Sequence, residues 1–324
     1  MVGVRALYFD GRRPGVADRP DPESGTDMAL VRVQLAGVCN TDLEIARGYM
    51  GFRGILGHEF VGVVEEGPEA WRGARVVGEV NFACGACEAC SAGLGRHCPT
   101  RRVMGILEAD GAFAERVAVP VANLHRVPEG LADAAAVFTE PLAAAFEILE
   151  QIEVDPQHRC VVLGDGKLGL LVAQVLADAG ARVLAVGRHD EKLAHLAARG
   201  IETRRITDFD ASAARADLVV EATGSARGLE EALAATRPRG TLVLKSTVAE
   251  RPAVDLAPLV IDEIQVVGSR CGPFEPALAA LREGRIDPAP LVSDTFPLAR
   301  ATQALSRAGE PGVLKVLLDC DTAR

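Results

Sequence analysis

Residues 160–177 constrain the fold more than any other stretch of the chain. Cys160-Val161-Val162-Leu163 is a short apolar run, Gly164-Asp165-Gly166-Lys167-Leu168-Gly169 follows at once, and Leu170-Leu171-Val172-Ala173-Gln174-Val175-Leu176-Ala177 continues apolar. The first run reads as a buried strand and the last as a helix. Between a buried strand and a helix, G-x-G-x-x-G is a dinucleotide fingerprint. Its glycines permit a tight turn and close approach of the backbone, and the helix N-terminus faces the pyrophosphate. Gly164, Gly166, Lys167, Leu168 and Gly169 are therefore expected to bind a nucleotide cofactor, and Thr223, beyond the later strand Leu218–Glu221, is expected to join them.

The next strand, Arg182–Val186, ends in Gly187-Arg188-His189. About twenty residues beyond the fingerprint an acidic residue is expected where a ribose 2′-hydroxyl is bound. No acid stands at this strand end. Gly187 leaves space and removes repulsion, while Arg188, joined by His189, can hold a 2′-phosphate, so NADP(H) is expected over NAD(H). Further strands at Leu218–Glu221, Gly240–Leu244 and Gln265–Gly268 alternate with helical stretches, the pattern of a doubly wound parallel sheet.

Residues 1 to about 80 read differently, as short β-branched runs divided by Gly and Pro: 29–35, 60–65 and 74–78. This is the texture of a compact barrel. Within it, Cys39, His58 and Glu59 offer a thiolate, an imidazole and a carboxylate, the mixed donor set a catalytic zinc takes when one position stays open. A short helix over 41–47 puts Thr41 and Glu44 on one face, directed at that metal. Cys84, Cys87, Cys90 and Cys98 follow in C-x2-C-x2-C-x7-C spacing, which closes a tetrahedral all-cysteine zinc site with no open position, a structural staple for a loop.

Composition removes several function classes. A formal charge of −10 with a pI near 5.2 argues against nucleic acid or an anionic membrane surface as partner, and the cysteine-rich lobe carries one arginine only. A small-molecule substrate fits better. With no secretory leader pattern at the N-terminus and thiols spaced for a metal, a reducing cytoplasmic setting is expected. At 324 residues, two domains are expected.

In this order, Gly37-Val38-Cys39 with Thr41-Asp42, Gly57-His58-Glu59, the four-cysteine lobe, Glu140-Pro141-Leu142 and Gly164 to Gly169 make the chain similar over nearly its full length to the zinc-containing medium-chain dehydrogenase/reductase superfamily, the alcohol and polyol dehydrogenases. The resemblance implies a Rossmann domain, here 142–270, inserted into a GroES-like β-barrel catalytic domain formed by 1–141 and 271–324, with the active site in the cleft between them. It implies two zincs per chain. Cys39 and His58 are then catalytic ligands, Asp42 orients the His58 imidazole, and Glu59 and Glu140 are candidates for alternating or water-bridged third ligands.

The implied reaction moves a hydride between a carbinol carbon and the nicotinamide, with Thr41 as first proton-relay hydroxyl. Glu44 stands where many relatives place a histidine, and it resembles the sugar (glucose-type) dehydrogenases. Arg270, after the last strand of the insert, is expected at the substrate pocket and favours a polyhydroxylated or anionic substrate. Tyr49, Phe52 and Phe113 are candidate pocket walls or plain core. The expected substrate is a secondary alcohol, polyol or sugar-like hydroxyl. The alternatives are an NAD-dependent simple alcohol or aldehyde dehydrogenase and a cofactor-binding protein without turnover. Relatives form dimers or tetramers, so a homodimer or homotetramer is expected.

Overall fold

A computed structural model describes residues 3–23, 25–246 and 254–321. The chain divides into two compact units, Met1–Glu140 with Ala277–Arg282 and Asp287–Arg324, and Pro141–Pro276 with Glu283–Ile286.

The first unit is built on β-sheet. Its largest sheet runs in the order Leu124–Arg126, Arg75–Gly78, Glu59–Glu66, Met28–Gly37, Lys315–Asp319, Val292–Pro297, and Arg116–Pro120 also pairs with Met28–Gly37. The predicted runs 29–35, 60–65 and 74–78 coincide with three of these strands, because β-branched side chains pack well on a half-buried pleat. Val31, Val33, Ala36, Phe60, Val61 and Val64 supply the buried side.

The last strand starts at Lys315, three residues later than its apolar sequence suggests, because Gly312 turns the chain at φ +86°. Leu317 and Leu318 then lie opposite Gly37 and Ala36. A strand near the C-terminus thus lies against a strand near the N-terminus, which carries Lys315 to the Cys39 end of that strand.

The second unit carries six parallel strands in the spatial order Glu202–Arg205, Arg182–Gly187, Arg159–Leu163, Ala216–Glu221, Thr236–Leu244, Gln265–Gly268. This is the doubly wound Rossmann order, with the second half placed beside the first strand. The helix Lys167–Asp178 contains the predicted 170–177 and buries Leu170 through Leu176. The fifth strand begins before the expected Gly240. Residues 236–239 are admitted by a register shift against Ala216 and Leu218, with Arg239 at φ 59°. Among the described residues no helix is long and apolar enough to cross a membrane.

One packing detail sets the floor of the first unit's polar site. Gly57 has φ +95°, and a Cβ there would stand 2.3 Å from the ring of Phe113, which is fully buried. A Cβ on Gly105 or on Gly111 would likewise stand 2.5 or 2.3 Å from the Gly57 carbonyl oxygen. Gly57→Ala should therefore cost about 2–4 kcal/mol, combining left-handed strain with overpacking. Gly73→Ala, also left-handed but with no atom within 4 Å of its Cβ, should cost only about 1 kcal/mol. Urea unfolding of the two variants measures the difference.

Candidate active site

The helix Asn40–Ala46 starts at Cys39, and Asp42 fixes that start. Its Oδ2 accepts the Cys39 backbone N–H at 2.8 Å, satisfying a donor the helix cannot use. The other oxygen, Oδ1, lies 3.3 Å from Nδ1 of His58, and both side chains are buried. Burial acts to lower the His58 pKa, but the Asp42 carboxylate, with help from Cys39, outweighs it and holds the imidazole well above its ordinary value. With Nδ1 facing Asp42, Nε2 is the nitrogen left for a metal.

Glu59 opens the strand that pairs with Gly37 and His58 immediately precedes it, and the sulfur of Cys39, a His58 ring nitrogen and a Glu59 oxygen all lie within 4.8 Å of one another. Glu59 is 1% exposed. Its Oε2 accepts from Nζ of Lys315, equally buried, which also donates to the Val38 carbonyl at 3.3 Å. Oε1 is buried with no hydrogen-bond partner among the described residues. A sulfur, a nitrogen and a carboxylate oxygen brought together, with one oxygen of that carboxylate buried and unsatisfied, is a donor set that zinc fits.

Lys315 is the functional residue that the motifs miss. Burial acts to lower its pKa, yet the charges of Glu59, Cys39 and Glu140 more than compensate and raise it, so it is an ammonium. Its ring neighbour is Phe138, 5.5 Å from Nζ. A signal existed in the sequence. A lysine inside the apolar run Val313-Leu314-Lys315-Val316-Leu317 has to find a buried anion.

The remaining expected residues divide. Thr41 Oγ1 lies 3.8 Å from Cys39 Sγ. Glu140, half-buried in the first turn of Thr139–Gln151, stands outside the three-donor group, although its charge reaches Lys315. Glu44 is held by Arg47 at 2.6 Å on an exposed face. Tyr49 is 40% exposed, whereas Phe52 and Phe113 are core.

The four sulfurs of Cys84, Cys87, Cys90 and Cys98 also lie within 4.8 Å of one another, and all four cysteines are free. Backbone N–H groups of Ala86 and Cys87 hold the Cys84 thiol down at about 6, and the Cys84 N–H lowers Cys98 in turn. The loop's backbone thus favours thiolates, the form that binds metal, at Cys84 and Cys98, whereas burial and the Cys87 sulfur push the Cys90 thiol up to about 11.

In the second unit, Gly164 has φ +121° and sits on the Ala222 carbonyl, while a Cβ at Gly169 would strike the Gly164 carbonyl at 2.1 Å. Gly166 differs. It precedes the helix at Lys167, and a Cβ there would meet nothing within 4 Å, so its backbone is open to a ligand at the helix N-terminus. Leu168 follows in that first turn. Thr223 gives its N–H and hydroxyl to Glu221 Oε1, both at 2.6 Å. The end of the second strand is occupied by Asp165, whose Oδ2 accepts from the Arg188 and His189 backbone and from His189 Nδ1. Arg270 is exposed, and its carbonyl accepts from Lys245 Nζ at 3.0 Å, in a loop that Lys245 also ties to Ser269 and Ala144.

Comparison with known proteins agrees with this layout. Residues 25–129 match the alcohol dehydrogenase GroES-like domain family, and residues 168–283 match the zinc-binding dehydrogenase family. The chain is 30% identical over 309 residues to 2-dehydro-3-deoxy-L-galactonate 5-dehydrogenase of Pseudoalteromonas atlantica, covering 89% of this chain and 90% of that one. Among solved structures, a candidate zinc-binding dehydrogenase from Sinorhizobium meliloti bound to NADP superimposes with a TM-score of 0.89 at 28% identity, covering 98% and 100% of the two chains. An alcohol dehydrogenase, rspB, from Escherichia coli CFT073 complexed with NADH gives 0.89 at 27% identity with the same coverage. A GroES-like β unit, a Rossmann unit and these matches make the chain an alcohol-type oxidoreductase that uses zinc and a nicotinamide cofactor, a member of the zinc-containing medium-chain dehydrogenase/reductase superfamily.

Proposed function

We propose that the chain moves a hydride between a secondary alcohol, polyol or sugar-like hydroxyl and NADP(H), on a catalytic zinc held by Cys39, His58 and a glutamate. The observation that carries this reading is the convergence of Cys39, His58 and Glu59 donor atoms within 4.8 Å, with Glu59 Oε1 buried and unsatisfied. Zinc in that site supplies Lewis-acid chemistry, lowering the pKa of a bound alcohol and polarising the carbonyl in the reverse direction. Glu59, which lies in the donor group, and Glu140, which stands outside it, would be the alternating or water-bridged third ligands.

The protein's own groups do the rest. Asp42, with Oδ1 3.3 Å from His58 Nδ1, would orient the ring and leave the second nitrogen for the metal. Thr41, beside Cys39, is the hydroxyl that first takes the substrate proton. Glu44 either passes it on or bonds a substrate hydroxyl, which would require it to leave Arg47. Gly164, Gly166, Lys167, Leu168, Gly169 and Thr223 receive the dinucleotide, the open backbone at Gly166 taking the pyrophosphate. Gly187, Arg188 and His189 receive the 2′-phosphate, and Arg270 faces a polyhydroxylated or anionic substrate. The relative named for 2-dehydro-3-deoxy-L-galactonate, a polyhydroxylated carboxylate, supports that substrate class.

Four free thiols closing on one centre suit a second, structural zinc at Cys84, Cys87, Cys90 and Cys98, and a reducing cytoplasm. Gln265–Gly268 is an edge strand with Val266 43% exposed, which suits a homodimer or homotetramer.

Purified protein should contain two zincs per chain. His58→Ala should keep one of them and lose activity by about a thousandfold, the scale of several kcal/mol of charge stabilisation. Retention of full activity, or loss of both metals, would contradict the assignment. Arg188→Ala should weaken NADPH binding by about ten- to a hundredfold and leave NADH within about twofold, because a charge-assisted hydrogen bond is worth about 1.5–3 kcal/mol. Equal weakening of both cofactors would sink the 2′-phosphate reading. Lys315→Ala should destabilise the fold by about 3–5 kcal/mol by leaving Glu59 buried without its cation, and Lys315→Ala with Glu59→Gln should recover part of that loss. Denaturant titration of the three proteins measures it.

A further inference from the structure

The strand Arg182–Gly187 has no acid of its own at its end, yet a carboxylate stands there. Asp165, from the glycine-rich turn, directs Oδ2 at three donors: the Arg188 N–H at 2.6 Å, the His189 N–H at 2.7 Å and His189 Nδ1 at 2.9 Å. Its side chain fills the room that a residue at 187 would need. A Cβ on Gly187 would lie 2.5 Å from the Asp165 Cβ and 2.6 Å from Oδ2. Asp165 is 7% exposed. Burial acts to raise its pKa, but the hydrogen bonds from His189 and Arg188 prevail and hold it below the ordinary value.

The orientation of His189 follows. An ionised carboxylate only accepts, so Nδ1 must carry the hydrogen in this contact. The ring then offers Nε2 to a ligand. The Arg188 side chain is exposed, and its guanidinium has no partner among the described residues. Because Asp165 takes both backbone N–H groups at 188 and 189, the turn that carries these two side chains is fixed before any ligand arrives.

We infer that Asp165 is a positioning residue for the 2′-phosphate of NADP(H), which it serves by locking the Arg188–His189 turn and the His189 ring so that Nε2 and the guanidinium face that phosphate. The inference rests on the NADP(H) reading above and adds a residue that touches no phosphate itself. It also explains Gly187 by the bulk of Asp165, in addition to any space the ligand needs. A carboxylate in the same place that instead repelled phosphate and bound the ribose hydroxyl would have the opposite effect on selectivity, so one experiment separates the two.

Calorimetric titration of the whole protein with 2′,5′-ADP and with 5′-AMP reads the 2′-phosphate contribution directly and needs no turnover. Wild type should favour 2′,5′-ADP by about tenfold or more. Asp165→Ala should weaken 2′,5′-ADP by about five- to tenfold and leave 5′-AMP within about twofold. Asp165→Asn, which still accepts the three hydrogen bonds, should keep the preference. His189→Ala should lose part of it, and adding Asp165→Ala to that variant should cost less than the two losses multiplied. The inference is overturned if Asp165→Ala keeps its preference, binds 2′,5′-ADP more tightly, or loses both ligands equally. Should Asp165→Ala fail to fold, loss of the preference in Asp165→Asn or its full retention in His189→Ala overturns it as well. A wild-type protein indifferent to the 2′-phosphate would overturn the NADP(H) reading itself, whereas preference in wild type with an unchanged Asp165→Ala would overturn only the role of Asp165.

Discussion

The buried ion pair of Lys315 and Glu59 is the constraint on which the first unit depends. Glu59 sits beside a cysteine sulfur and an imidazole, where an uncompensated carboxylate would cost several kcal/mol. Its counter-charge comes from the far end of the chain, on a strand that has to lie against Met28–Gly37 in one register for Nζ to reach both Glu59 and the Val38 carbonyl. The glycines follow from the same crowding. A Cβ on Gly37 would stand 2.4 Å from Glu59 Oε2, and Gly57 turns over the Phe113 ring to present His58. Sheet pairing, the return of the C-terminal strand and the polar site are therefore one arrangement. Lys315 occupies only one oxygen of Glu59, and the other is buried with no hydrogen-bond partner among the described residues.

A similar economy governs the second unit. Gly164 and Gly169 are demanded by backbone, each pressed against a carbonyl, while Gly166 is the position with empty space beside it. Local sterics thus separate the glycines that shape the turn from the one that leaves room for a ligand. At the end of the second strand, Asp165 substitutes for the missing strand-end acid as a source of negative charge, but three donors already occupy its Oδ2. The Arg188 side chain is exposed there, as is the outer edge of the His189 ring, while the neighbouring Asp190 carboxylate is paired with Arg205.

Much of this was legible before any coordinates. The unbroken apolar run at 160–163, the glycine turn and the apolar helix after it define a parallel βα unit by period and length alone, and the six-stranded order followed. The β-branched runs of the first unit were equally plain. The cysteine spacing brings four sulfurs together as expected, since Cys84, Cys87 and Cys90, with two residues between each pair, share a tight loop to which Cys98 returns. What stayed hidden was long-range. Nothing local reports that Lys315 pairs with a residue 256 positions away, and a single lysine in an apolar strand signals only that some anion is needed. The role of Asp165 was hidden for the same reason, since the end of the second strand looks free of acid when it is read one strand at a time. Glu44 shows the converse limit. The helix Asn40–Ala46 holds Thr41 and Glu44 three residues apart, but the Glu44 side chain turns to Arg47 on an exposed face.

The proposed chemistry needs two chemically different metal centres in one chain, one all-sulfur and one of mixed sulfur, nitrogen and oxygen donors around Cys39, His58 and Glu59. X-ray absorption at the zinc edge of the loaded protein tests it most directly, because sulfur and lighter ligands lie at distinguishable distances, about 2.3 Å and about 2.0–2.2 Å. The expected spectrum has five sulfur ligands shared between two zincs, with the lighter shell made up of one imidazole and carboxylate or water oxygen. A spectrum of four sulfurs on a single zinc, with no lighter shell, would contradict it.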